Sequence, residues 1–234
     1  MAEYKGIKGF KVQYLSADPS NPIIGQTWYN STSKDLKYTG VSTAGAWATG
    51  NNLNTARNAL SGAGTQTAAL AFGGTPPVTG ATEEYDGNSW TSGNSLNTAR
   101  ESLASAGIQT ATLAFGGLTP AATGATEEYD GTSWATSPGS LNTARYSLAG
   151  AGIQTAGLAF GGEVGAETGA TEEYDGTSWA TSPASMSTGR KNLGGTGTAA
   201  AGLTFGGVSP SGQTAATEEW TGPGAAVTKT ITVS

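Results

Sequence analysis

Hydrophobic residues occur along this chain in short runs that glycines interrupt, and no stretch keeps the 3.6-residue spacing of an amphipathic helix. Residues 67–74, Thr-Ala-Ala-Leu-Ala-Phe-Gly-Gly, predict a short buried strand that the glycines end. Residues 82–85 predict the next strand, and Asp86-Gly87 predicts a two-residue hairpin turn, because both turn positions favour positive φ. A strand carrying Trp90 follows. The pattern therefore predicts an all-β fold built from short strands.

This group of strands is repeated along the chain. The segment Leu-Asn-Thr-Ala-Arg recurs with its arginine at Arg57, Arg100 and Arg145, and Met-Ser-Thr-Gly-Arg places Arg190 in a fourth copy. The arginines are 43, 45 and 45 residues apart. Four short strands in a unit of about 45 residues are typical of one blade of a β-propeller.

Three further positions recur in and after the segment Ala-Thr-Glu-Glu-Tyr-Asp-Gly. The second glutamate recurs as Glu84, Glu128, Glu173 and Glu219. The tyrosine recurs as Tyr85, Tyr129 and Tyr174, with Trp220 in the last unit, and a tryptophan follows five residues later as Trp90, Trp134 and Trp179. We expect structural roles for these positions, with arginines and glutamates bonding between blades and aromatic rings filling the space between blades.

Other roles for the repeated residues stay open from the sequence alone. Paired carboxylates can bind a metal or act as general acid and base, the arginines can bind an anion, and the aromatic rings can stack on sugars. The aspartates of the Asp-Gly pairs can bind Ca²⁺, although no segment has the alternating carboxylates of a calcium loop. Repetition of the same residues in every unit favours a structural role over a single reactive site.

A fifth, divergent unit is predicted near the N-terminus, where residues 35–40 align with Glu-Glu-Tyr-Asp-Gly and Trp47 stands 43 residues before Trp90. We therefore predict a single five-bladed β-propeller over residues 24–234, preceded by an N-terminal segment, residues 1–23, that is a strand and a candidate docking arm. Residues 9–14 and 226–233 are strand candidates to complete the terminal blades, without a preference between them. The predicted units are residues 24–52, 53–95, 96–140, 141–185 and 186–234.

Composition excludes several classes of chemistry. The chain contains neither cysteine nor histidine, which removes disulfides, thiolate or imidazole metal sites, and nucleophiles activated by histidine. No Walker-type phosphate loop occurs. We expect a non-enzymatic protein with no catalytic residue, no cofactor and no metal. The net charge of −6 predicts no nucleic-acid partner, and the absence of a long apolar run or signal peptide predicts neither membrane insertion nor export.

The order of glycine doublet, tyrosine, tryptophan and the arginine that opens the next unit resembles the kelch repeat over roughly residues 53–222. The Tyr–Trp interval is one residue shorter than is common in that family, and five units are fewer than its usual six or seven. The resemblance implies a propeller with four-stranded blades.

A second resemblance lies in the N-terminal part of the chain. Residues 24–30, Ile-Gly-Gln-Thr-Trp-Tyr-Asn, followed by Leu36-Lys37, are similar to a segment of tail and other virion proteins of bacteriophages, notably marine ones. This implies a virion location, with capsid, tail or fibre decoration, other virion proteins or copies of itself as partners, and a role in host attachment. The alternative is a lectin-like module that binds a host-surface glycan. A carboxylate hydrolase or lyase ranks last.

Four loops differ from unit to unit and follow the glycine doublets, at residues 75–80, 118–123, 163–168 and 208–213. Variable loops on a repeated scaffold are natural binding edges, although free drift of exposed residues explains them equally well. Glu163 and Glu167 are the non-repeated acids that the hydrolase hypothesis would need. The candidate interaction residues are Pro76, Thr119, Glu163, Glu167 and Ser209.

Overall fold

The computed structural model describes residues 12–22, 24–40, 45 and 47–223. All regular structure in these ranges is β-strand, so the all-β prediction is confirmed there. Contacts divide the chain into two compact units, residues 1–49 and residues 50–234. The predicted strand at 226–233 lies outside the described residues, as does the start of the one at 9–14.

The first unit contains one small sheet. β1 (Gln13–Leu15) pairs in parallel with β2 (Thr27–Asn30), and β2 pairs antiparallel with β3 (Asp35–Tyr38). Asp18 accepts hydrogen bonds from Trp28 Nε1 at 2.9 Å and Asn30 Nδ2 at 2.8 Å, and it forms a 2.7 Å ion pair with Lys37. These donors hold the pKa of Asp18 well below its usual range. The predicted segment 1–23 thus supplies both a strand and the central acceptor of this sheet.

The second unit contains four repeat sheets of antiparallel strands, each in chain order across the sheet apart from the last. Repeat sheet 1 consists of β4 (Ser61–Thr65), β5 (Ala68–Phe72), β6 (Thr82–Tyr85) and β7 (Trp90–Gly93). Repeat sheet 2 consists of β8 (Ala104–Ile108), β9 (Ala111–Phe115), β10 (Thr126–Tyr129) and β11 (Trp134–Thr136). These four-stranded sheets have the size and strand order of propeller blades.

The remaining two repeat sheets differ at the end of the chain. Repeat sheet 3 consists of β12 (Ala149–Ile153), β13 (Ala156–Phe160), β14 (Thr171–Tyr174) and β15 (Trp179–Thr181). Repeat sheet 4 has three strands in the described residues, and a short hairpin stands between its second and third strands. Its strands are β16 (Gly194–Gly197), β17 (Ala201–Phe205) and β20 (Thr217–Thr221), and the hairpin is β18 (Val208–Ser209) with β19 (Gly212–Gln213).

Each repeat sheet packs against the next, and their first strands lie side by side. β4, β8, β12 and β16 together line a cavity of about 300 Å³. Small residues are required here because backbones approach closely: a Cβ on Gly150 would lie 2.6 Å from the Ser105 carbonyl oxygen and 2.6 Å from the Phe115 ring. The first strands can therefore pack this closely only because glycine and alanine occupy positions that larger aliphatic residues would fill elsewhere.

The hydrophobic core lies between consecutive sheets. The first junction, between repeat sheets 1 and 2, buries Leu70, Phe72 and Leu103 with Tyr129 and Trp134. The second junction, between repeat sheets 2 and 3, repeats this set with Leu113, Phe115, Leu148, Tyr174 and Trp179. The third junction, between repeat sheets 3 and 4, contains Leu158 and Phe160 with Trp220 packed against them.

Two local features explain the glycines and aspartates of the repeat. Gly73 and Gly74 have φ of +70° and +107°, and the amide of Gly74 donates to the Arg100 carbonyl of the next unit at 3.0 Å. The predicted two-residue turn at Asp86-Gly87 is wrong. Tyr85 pairs with Trp90, so four residues form the loop, and Asp86 Oδ1 accepts from the amides of Asn88 at 2.8 Å and Ser89 at 2.7 Å.

Candidate functional site

The repeated arginines are buried, and each pairs with a glutamate of its own repeat sheet. Arg100 Nη2 lies 3.2 Å from Glu127 Oε1, and Arg145 Nη1 lies 3.0 Å from Glu172 Oε1. Burial lowers the pKa of both arginines, and the carboxylate beside each opposes the shift. The same pairing joins Arg57 to Glu83 and Arg190 to Glu218.

This arrangement corrects the expected partners. The arginine side chain bonds within its own sheet and not between sheets, because the arginine precedes the first strand and reaches the third strand of the same sheet. Its partner is the first glutamate of each pair. Sequence alternation places the two glutamates on opposite faces of the strand but does not tell which face meets the arginine.

The carboxylate that pairs with each of Arg57, Arg100 and Arg145 also accepts a hydrogen bond from the asparagine three residues before that arginine. Glu127 Oε2 accepts from the amide of Asn97 at 2.6 Å, and Asn97 Nδ2 donates to the Trp134 carbonyl at 2.9 Å. Asn54 and Asn142 repeat these two bonds. The Leu-Asn-Thr-Ala-Arg motif therefore binds the third strand through its glutamate and the fourth strand through the carbonyl of its tryptophan. Among the described residues, no group of three acidic side chains is placed to hold a metal ion.

In repeat sheets 1 and 2, the second glutamate of the pair acts across a junction. Glu84 accepts a hydrogen bond from the hydroxyl of Tyr129, and Glu128 accepts one from the hydroxyl of Tyr174 at 2.6 Å. Burial and the neighbouring carboxylate raise the pKa of Tyr174 to about 12 and that of Tyr129 further still. These carboxylates and phenols link neighbouring sheets.

The tryptophans complete the first two junctions. Trp134 Nε1 donates to Thr82 Oγ1 at 2.9 Å, and its ring centroid lies 4.8 Å from that of Phe72. Trp179 makes the same contacts with Thr126 and Phe115, also at 2.9 and 4.8 Å. With both indoles buried, neither face is available to stack on a sugar.

Some residues at repeat positions are not buried at a junction as their counterparts in the other units are. Trp47, aligned with Trp90 by spacing, lies in no strand and is fully exposed. Tyr85 and Trp90 are half-buried and pack against each other at a tilt, with ring centroids 5.0 Å apart. At the other end of the second unit, Phe205 is 45% exposed and Glu219 is exposed. The outer faces of repeat sheets 1 and 4 thus carry junction residues without a described partner sheet.

The variable loops occupy the same place in each repeat sheet, between its second and third strands. The first residue of each loop forms a β-bridge with the residue that follows a repeated arginine. The bridged pairs are Asn58–Thr75, Glu101–Leu118, Tyr146–Glu163 and Lys191–Val208. The residues after the arginines were not predicted as part of this surface, although they vary from unit to unit as the loop residues do. We call these four bridged pairs the variable rim.

The candidate loop residues differ in exposure. Pro76 is exposed, Thr119 is half-buried with its Oγ1 donating to the Ala121 carbonyl at 2.9 Å, and Ser209 is buried with its Oγ donating to the Gly212 carbonyl at 3.1 Å. Ser209 is thus turned into its own hairpin and does not present its hydroxyl to a partner.

The third loop carries a charge cluster. Lys191 Nζ lies 2.7 Å from Glu163 Oε2 and 3.2 Å from Glu167 Oε1. The two carboxylates raise the pKa of Lys191, while the backbone amide of Glu167 and then Lys191 lower the pKa of Glu167. Burial and a hydrogen bond to Glu163 raise the pKa of Tyr146. A general acid needs a raised carboxyl pKa, so the hydrolase hypothesis gains nothing from Glu167.

No helix in the described ranges has the length and apolar character needed to cross a membrane. No family model matches the chain, and no curated protein matches it.

Proposed function

We propose that this chain is a non-enzymatic virion protein of a bacteriophage, folded as a five-bladed kelch-like propeller that serves as a structural or decoration protein of capsid, tail or fibre. Its partners are other virion proteins or further copies of itself, and one of its uses is host attachment. The observation that carries the proposal is that the repeated residues bond inside the protein, whereas the residues that vary between units lie together in loops at one edge of the sheets.

The repeated residues support a scaffold because their polar groups bind within the protein. The arginine–glutamate pairs lie inside single sheets, and the Tyr129 hydroxyl and the Trp134 indole N–H bond across the first junction. These groups are engaged inside single sheets or across a junction, without the open approach to a substrate that acid–base catalysis needs. Repetition here serves stability and sheet spacing.

The propeller form is supported by the packing of the four repeat sheets. Their first strands share one cavity, and the first two junctions contain the same set of residues. The junction residues on the outer faces of repeat sheets 1 and 4 support a further blade, because these faces have no partner sheet among the described residues. Closing a ring in this way removes exposed sheet faces.

The variable rim is the proposed contact surface. Four neighbouring sheets present different side chains there on one shared framework, as expected for an edge that meets one particular partner. The variable rim contains one cluster of charged side chains, formed by Lys191, Glu163 and Glu167 beside Tyr146.

The test uses phage particles that lack this chain, incubated with the purified protein and then sedimented. We expect the wild-type protein to co-sediment, and the combined variant Tyr146→Ala with Lys191→Ala to lose at least tenfold in binding, since central aromatic and charged contacts dominate interfaces. The matched control changes Thr132→Ala and Thr177→Ala, exposed in the β10–β11 and β14–β15 loops at the opposite ends of the sheets. Equal binding by both variants would remove the rim from the proposal.

A second candidate is glycan binding, and the same cluster favours it. An edge that combines the half-buried ring of Tyr146 with the half-buried carboxylates of Glu163 and Glu167 offers the stacking and hydrogen bonding that sugars use. Because the other three rim pairs differ, this hypothesis predicts one site per chain by calorimetry and not one per unit. A glycan array with no hit on the intact protein would remove it.

A further inference from the structure

The first two junctions show how the protein holds an indole ring. Trp134 lies between Phe72 and Tyr129, at centroid distances of 4.8 and 4.9 Å, and donates its N–H to Thr82 Oγ1 at 2.9 Å. Trp179 lies between Phe115 and Tyr174 at 4.8 and 5.0 Å, and donates to Thr126 Oγ1 at 2.9 Å. The two sites are copies in ring partner, distance and acceptor.

The third junction keeps the receiving side of this arrangement. Phe160 occupies the repeat position of Phe72 and Phe115, and Thr171 occupies that of Thr82 and Thr126. The last unit lacks the tryptophan that supplies the ring at the other junctions. In those units a tryptophan follows the tyrosine by five residues, whereas Ala225 follows Trp220 by five residues and no later tryptophan occurs. Trp220 itself takes the tyrosine position, and its Nε1 donates to the Ala199 carbonyl at 2.9 Å.

A cavity of about 70 Å³ lies at this junction, which we call the third-junction cavity. Its walls include Leu158, Phe160, Thr171, Met186, Glu219 and Trp220. It therefore combines two aromatic faces with a hydroxyl acceptor, and Phe160 and Thr171 are both buried at its base. The phenylalanine and threonine of this cavity have the repeat positions of those that hold an indole at the first two junctions.

We propose that the third-junction cavity binds an indole ring, packed at a tilt against Phe160 and donating its N–H to Thr171 Oγ1. The ligand class is a small planar indole compound. Trp134 and Trp179 define the pose, and the spacing to expect is theirs, near 4.8 Å to the phenylalanine and 2.9 Å to the threonine. The proposal does not depend on the virion role.

The test is calorimetric titration of the full-length protein with indole and with 1-methylindole, which keeps the ring and lacks the N–H donor. We expect saturable binding of one indole per chain, and binding of 1-methylindole about tenfold weaker, the effect of losing one hydrogen bond. Thr171→Val removes the acceptor at nearly constant shape and should weaken indole binding by about the same factor.

The matched control is Thr126→Val, at the second junction, where Trp179 already occupies the equivalent site. This variant should lower stability and leave the affinity for indole unchanged. Absence of saturable binding to the wild-type protein overturns the proposal. Equal affinity of wild type and Thr171→Val for indole overturns it as well.

Discussion

The hydroxyl of Tyr174 donates a 2.6 Å hydrogen bond to Oε1 of Glu128, joining the third strand of one repeat sheet to the third strand of the next. The pair is 46 residues apart in sequence, about one repeat unit, so the same bond can recur at each junction. It recurs between Tyr129 and Glu84 and is lost at the third junction, where Trp220 replaces the tyrosine. The glutamate there, Glu173, is a natural internal control.

Glu128→Ala should lower the free energy of unfolding by about 1.5–3 kcal/mol, because it removes the acceptor of a charge-assisted bond from a buried phenol. Glu173→Ala should change it by less than about 0.5 kcal/mol, since Trp220 stands in the next repeat sheet where the other units have the bonding tyrosine. Urea unfolding of both variants gives the comparison. Equal losses would mean that the carboxylates act without the tyrosines.

The buried arginine pairs predict a graded cost. Glu172→Gln leaves the Arg145 guanidinium buried without its counter-charge and should cost about 3–5 kcal/mol. Glu218→Gln in the last unit should cost less, because the Glu218 side chain is 26% exposed whereas that of Glu172 is 1% exposed, so water can solvate the orphaned charge. The comparison uses the same urea assay. A larger loss for Glu218→Gln would contradict the structural role of burial here.

Trp179→Ala should destabilise the protein by about 3–5 kcal/mol, the usual cost of deleting a buried tryptophan side chain. Trp47→Ala should leave the melting temperature unchanged, because that side chain is fully exposed. Differential scanning calorimetry measures both. A large effect of Trp47→Ala would mean that the tryptophan is buried in solution, as the blade alignment of the sequence expects.

Stability should be flat between about pH 5 and pH 9, because the chain has no histidine or cysteine to titrate in that range. Backbone amides hold the pKa values of Asp86, Asp130 and Asp175 below 3.8, so the folded state binds fewer protons than the unfolded state as pH falls. Their contribution is present above pH 3.8 and is lost as pH falls through the lowered values.

The alkaline limb has the opposite origin. The pKa of Tyr174 is raised from 10.0 to about 12, so its stabilising contribution is complete below pH 10 and is lost as pH rises towards 12. Urea midpoints across the pH range test both limbs. Asp130→Asn should reduce the acid sensitivity, and Tyr174→Phe should reduce the alkaline one. A broad transition near neutral pH would contradict this account.

Local sequence rules predicted the strands well, because apolar runs and glycine doublets mark them directly. The strand predicted at residues 82–85 has those bounds, and Phe72-Gly73-Gly74 ends a strand as expected. The turn after it was mispredicted because the Asp86 side chain, and not positive φ at two residues, closes the loop.

Tertiary choices were harder to predict. Which glutamate meets the arginine depends on which strand face lies inward, and alternation alone leaves that choice open. The N-terminal alignment relied on the spacing of Trp47, but β1 pairs in parallel with β2, a long-range contact that spacing does not encode. The cavity at the third junction follows from a residue that one repeat lacks, which only the packed copies make visible.

The virion role predicts where the chain is found. Quantitative mass spectrometry of density-purified particles tests it most directly, with the ratio of this chain to the major capsid protein measured across successive gradient steps. The account predicts that the chain bands with the particles at a constant ratio. Its absence from particles, with abundant chain in the infected cells, would contradict the account and leave glycan binding as the better explanation of the variable rim.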